Sequence, residues 1–212
     1  MFAADFDRVV MCKHELKDKV LTESLKLFSR VGIKNATMDE IARQLGVSKK
    51  TLYEQFDNKS ELVYQLMCRE MEVHLSLLNE SAQNIVEQTF KITSEFRNYM
   101  SKFNPMMFYD LQKYYPKAWF VFEDFRDRYC CPILQQCLKE GVRQGLFRHE
   151  INVDILVQLR IAELFISFDL SVFPPSKFNV SQVMIEVSEH FLYGLCTVKG
   201  YELMNTYKKM QE

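Results

Sequence analysis

Residues 37–62 read TMDEIARQLGVSKKTLYEQFDNKSEL, and this stretch decides the fold. Thr37 followed by Glu40 has the form of a capping box: the Thr side chain accepts from an orphan amide while the Glu reaches back to the cap. That spacing predicts a helix from Met38. Gly46 ends it, because the tight turn needs a residue that takes positive φ, and Val47 plugs the corner between helices. Ser48 opens a second helix as its N-cap, and Asn58 with Glu61 repeats the capping pattern for a third. Ile41 and Leu45 share one face, as do Leu52 and Phe56 on the next helix, and the small Ala42 sits where the two axes should cross. Such a steeply crossed pair is a helix-turn-helix.

Placed on a helical wheel, Lys49 to Phe56 leaves Lys50, Thr51, Glu54 and Gln55 opposite the buried Leu52 and Phe56. A face so rich in hydrogen-bonding groups suits a DNA major groove. The segment resembles the DNA-binding domain of the TetR family of transcriptional regulators, matching at Thr37, Ile41, Ala42, Gly46, Val47, Ser48, Thr51, Leu52, Tyr53, Phe56, Lys59 and Leu62 in register. Lys50 departs from it, since many members carry Gly or Pro there. The resemblance implies an all-α protein, with an N-terminal three-helix helix-turn-helix domain and a C-terminal helical ligand-binding and dimerisation domain. Its partners would be double-stranded DNA with a palindromic operator, a second copy of the chain and a small-molecule effector. The expected DNA-binding set is Thr37, Ser48, Lys49, Lys50, Thr51, Tyr53, Gln55 and Lys59. Lys50, Thr51 and Gln55 would face the bases, while Lys49, Tyr53 and Lys59 hold phosphates.

Composition agrees. Six Gly and five Pro in 212 residues leave little material for hairpins, and apolar residues recur at helical period almost throughout. The net charge is -1, and residues 13–62 hold only ten Lys or Arg against eight Asp or Glu, so phosphate affinity must come from placement rather than bulk charge. No apolar run is long enough to cross a bilayer, and Asp5, Asp7 and Arg8 argue against a signal peptide, so a cytoplasmic protein with reduced cysteines is expected. Cys130, Cys131 and Cys137 read as buried inert thiols, because adjacent helical cysteines point about 100° apart and do not easily bridge. His14, His74, His149 and His190 form no i,i+3 or i,i+4 pair, and no catalytic constellation or phosphate loop can be placed. No metal, cofactor or enzymatic activity is expected.

The chain divides into a flexible arm over 1–12, with Met11 an alternative start, a helix-turn-helix domain over 13–60, and a body over 61–212. A first helix should run from about His14 to Val31, turning Leu16, Val20, Ser24, Phe28 and Val31 inward. A long helix from Asn58 to about Asn79 links head and body, and the family resemblance makes it the element that changes head spacing. Further helices are expected over 81–100, over 106–114, and from Pro116 to about Gly141 with a kink at Pro132. Helices over 153–170 and 180–198 are apolar on two faces, which predicts a four-helix dimer interface through Ile155, Leu159, Ala162, Ile166, Val183, Val187, Phe191 and Gly194. Phe96, Met100, Phe103, Met106, Met107, Phe108, Tyr109, Trp119, Phe120 and Phe165 are candidates to line an effector cavity, although any helical core is built of such residues. Tyr109, Asp110, Gln112 or Arg160 would supply polar specificity. The alternative function is a ligand-independent adaptor that binds DNA with the same head and recruits a protein through its body.

Overall fold

The computed structural model describes residues 2–78 and 105–209. Ten α-helices are described: α1 Phe2–Val31, α2 Met38–Leu45, α3 Lys49–Tyr53, α4 Lys59–Leu78, α5 Pro105–Tyr114, α6 Pro116–Phe125, α7 Cys131–Arg143, α8 Val153–Ile166, α9 Val180–Leu195 and α10 Val198–Lys209. The only extended pairing among the described residues is an isolated bridge between Phe147 and Cys196. Helix α1 begins at Phe2, where the sequence suggested an arm up to residue 12. The helix expected over 81–100 lies outside the described residues.

The chain forms two compact units. The first comprises residues 1–72 and 106–122, so a stretch expected in the body belongs with the head. In it, Val20, Ser24 and Phe28 of α1 are fully buried, together with Ile41, Ala42, Leu52, Phe56, Leu62 and Leu66. These are the periodic positions the sequence pointed to. Val31, expected on the same stripe, is exposed beside the turn at Gly32, whose φ is +83°.

The second unit holds residues 73–105 and 123–212. Its core gathers Leu138 of α7, Leu146 and Phe147 of the following turn, Val157 of α8, Phe191, Leu192 and Leu195 of α9, and Met204 of α10. The α7–α8 and α9–α10 connections are tied together where Arg148 N donates to Leu195 O and Thr197 N to Leu146 O, both at 2.9 Å. The expected kink at Pro132 takes a particular form. Residues Arg126–Cys130 form a π-helical turn in which the Cys131 amide reaches back to Arg126 O. Proline has no amide to donate and its ring crowds the carbonyl four residues earlier, so the wider turn lets the chain carry on as a helix.

Candidate nucleic-acid interface

The reading head is built by its caps. Thr37 Oγ1 accepts from Glu40 N at 3.2 Å while Glu40 Oε2 accepts from Thr37 N at 2.9 Å, completing the capping box. The Thr37 hydroxyl, which donates to Glu40 Oε2 at 2.9 Å, and then the Thr37 amide hold the Glu40 carboxyl below its usual range. Gly46 ends α2 in the left-handed region at φ 67°, and Val47 N reaches back to Ala42 O at 3.0 Å. Ser48 Oγ then accepts from Thr51 N at 3.0 Å and fixes the start of α3. Asn58 Oδ1 accepts from Glu61 N at 2.9 Å and starts α4.

On this frame Ser48, Lys49, Lys50 and Tyr53 are exposed around α3, with Thr37 exposed at the start of α2. Lys49 Nζ meets Asp39 Oδ2 at 2.6 Å, but both side chains stay more than half exposed, so a phosphate can compete for the ammonium. Thr51 is half-buried, its hydroxyl 2.8 Å from Ser48 Oγ. Helix α3 is shorter than the wheel assumed. It ends at Tyr53, and Gln55 stands in the turn beyond, half-buried, with its amide on Leu52 O.

Lys59 occupies a different place from a free phosphate ligand. Its ammonium donates to the carbonyls of Lys34 and Ala36, and burial pushes its pKa down against the attraction of Asp110 and Glu40. Asp110, on α5 and only 2 % exposed, accepts from Lys34 N at 2.7 Å. The loop before α2 is therefore held from both sides. Sequence reading missed this junction because its partners lie 76 and 25 positions apart. It also missed Lys34 and Lys113, whose ammonium groups stand 5.2 Å and 5.6 Å from the Tyr114 ring centre.

The remaining candidates are dispersed. Phe96, Met100 and Phe103 lie outside the described residues. In the first unit Met107 is buried, Phe108 and Trp119 are half-buried, and Met106, Tyr109 and Phe120 are exposed. The Trp119 and Phe122 rings stack at 5.2 Å. Phe165 is half-buried in the second unit. Ile155, Leu159, Ala162 and Ile166 form an exposed stripe along α8, and Gly194 is exposed on α9. Val183 and Phe191 are instead buried within the protomer, at 7 % and 6 % exposure, because α9 turns that face toward its own core. Val187 is half-buried.

Residues 20–66 match the family of bacterial regulatory proteins named for tetR. The chain is 23% identical over 181 residues to the HTH-type transcriptional regulator YvaF of Bacillus subtilis (strain 168), itself uncharacterized, with 84% of this chain and 94% of that one covered. Its fold is similar to that of a Saccharomonospora viridis protein solved in complex with choline (TM-score 0.72, 16% identity, 87% and 99% of the two chains). It is also similar to that of the Bacillus subtilis regulator FadR in complex with stearoyl-CoA (TM-score 0.58, 17% identity, 83% and 97%). The capped helix-turn-helix lies inside the residues that match the tetR family of bacterial regulatory proteins, and the likeness of helical fold runs over most of the chain.

Proposed function

We propose that this regulator is a homodimeric repressor, acting in the bacterial cytoplasm where its DNA is, and released from a palindromic operator by a small apolar or amphipathic effector. The observation that carries the DNA-binding part is the exposed face of α3, with Ser48, Lys49, Lys50 and Tyr53 presented on a helix whose start is fixed by two hydrogen bonds to Ser48. Lys50, Thr51 and Gln55 address base edges; Lys49 and Tyr53 address phosphates, with Thr37 and Ser48 at the helix starts beside them. Lys59 acts chiefly by holding the 34–36 loop. The α8 stripe supports dimerisation, since four apolar or small residues at i, i+4, i+7 and i+11 are left to solvent by a single chain. The choline and stearoyl-CoA complexes of similar folds support a ligand-responsive body.

The test is selection of binding sites from random duplexes with the full chain, followed by a compound screen for displacement of the selected duplex. An inverted repeat is expected, with half-site centres about 34–36 Å apart or a multiple. Failure to enrich any inverted repeat would remove the dimeric DNA-binding reading. Enrichment without displacement by any compound would remove the effector and favour the adaptor.

A further inference from the structure

Four polar side chains stood as candidates for effector specificity, and their surroundings separate them. Tyr109 and Gln112 are exposed. Asp110 is buried, but its carboxylate is taken by the Lys34 amide in the head. Arg160 is different: it lies on α8 within the second unit and is only 5 % exposed. Its Nη2 donates to Ser188 Oγ at 2.7 Å, and its guanidinium lies 5.3 Å from the centre of the Phe191 ring. Its Nη1 stands 3.5 Å from Glu163 Oε2, an ion-pair distance without hydrogen-bond geometry, and among the described residues neither of these buried atoms has a hydrogen-bond partner.

An arginine cannot shed its charge, and a buried donor without an acceptor is costly. Glu163 shares the burial: desolvation pushes its carboxyl up, against the opposing pull of Arg160 and of His190. Leu156 and Leu164, one turn either side on α8, are half-buried, and Val157 is buried. A guanidinium in apolar surroundings with donor capacity to spare is matched by a carboxylate, whose two oxygens fit its fork. Glu163 next to it disfavours a dianion such as a phosphate monoester.

Resting on the ligand-responsive reading above, we propose that Arg160 and Ser188 form the polar end of the effector site and take the carboxylate of a small amphipathic monoanion whose apolar part lies against Phe191.

The experiment measures thermal shift and calorimetry on the full chain with octanoate, decanoate and benzoate, and with 1-decanol and decyltrimethylammonium as probes lacking the anion. At least one carboxylate is expected to bind roughly tenfold or more tighter than 1-decanol, about 1.4 kcal/mol. Arg160→Met should remove that advantage while leaving 1-decanol binding as it was, and Glu163→Gln should keep or strengthen it. Ser188→Ala, a milder change, should weaken the carboxylate several-fold and serves if Arg160→Met does not fold. Carboxylates that bind no tighter than 1-decanol, or that bind the Arg160 and Ser188 variants like the wild type, would overturn the proposal and leave a structural ion pair. The selected duplex separates the two readings. Arg160-dependent carboxylate binding that leaves DNA affinity unchanged keeps the site and refutes effector release. Displacement of DNA by 1-decanol or the ammonium, with no carboxylate bound, keeps release and refutes the site.

Discussion

Thr37 and Lys59 show how single side chains set the reading head. Thr37→Ala removes the cap oxygen that accepts from Glu40 N and should cost about 1 kcal/mol in a urea melt, with Thr37→Ser restoring most of it. The pH dependence follows from Glu40. Its folded pKa is depressed by Thr37, so the stabilisation is present above the unfolded carboxylate pKa and is lost as pH falls through the folded one. Thr37→Ala should therefore lessen the acid sensitivity of unfolding, and an unchanged pH profile would show that the bond contributes nothing. Lys59→Met leaves the carbonyls of Lys34 and Ala36 without their shared donor. It should lower stability and DNA affinity together, whereas Lys49→Ala, at an exposed site, should lower affinity alone and flatten its salt dependence. A Lys59 variant that melts like the wild type but binds DNA weakly would return Lys59 to the phosphate role. Cys130 has its thiol pushed up to about 12, mainly by burial. Iodoacetamide at pH 8 should spare it in the folded chain and modify it after denaturation, as read by mass spectrometry.

At the scale of elements, local signals were legible and distant ones were not. Thr37, Gly46, Ser48 and Asn58 mark helix ends through bonds spanning three to five residues, so sequence alone located them. The length of α3 escaped because Phe56 continues the apolar period of Leu52 although the helix has already ended at Tyr53. Which face of α9 turns inward escaped for another reason: a helix apolar on two sides does not say which side its own core claims, and Val183 and Phe191 went to the core. Pro132 announced an irregularity without saying that it would be absorbed as a π turn. Gly141 illustrates packing that only coordinates reveal. A Cβ there would meet the Phe147 ring at separations shorter than any real contact, while Phe147 itself is buried. Gly141→Ala is expected to cost about 1–3 kcal/mol as the ring is forced aside. A denaturant midpoint within error of the wild type would show that α7 and its turn are packed less tightly than this.

For the whole molecule the decisive quantity is association. Ile155, Leu159 and Ile166 are 63%, 46% and 44% exposed, an apolar row that a lone chain leaves to water. Burying one Leu or Ile side chain contributes about 1.5–3 kcal/mol, and in a two-fold interface each residue counts twice. Leu159→Glu should then weaken a dimer by about 3–6 kcal/mol, which takes a tight association into the range where light scattering reports monomers. The helical content of the chain should be unchanged, because the side chain is not needed for the protomer's own core. Gly194 gives a finer probe, since a Cβ there meets nothing within 4 Å in the single chain. Gly194→Ala is expected to leave the urea melt of a Leu159→Glu monomer unaltered, yet to raise the dissociation constant of the otherwise native dimer if the helices cross closely at that point. With two heads no longer tied, binding to an inverted repeat should fall toward that of a half-site, as read by titration of the two duplexes. A Leu159→Glu protein that still scatters as a dimer would place the interface elsewhere, and the exposed row on α8 would then need another partner.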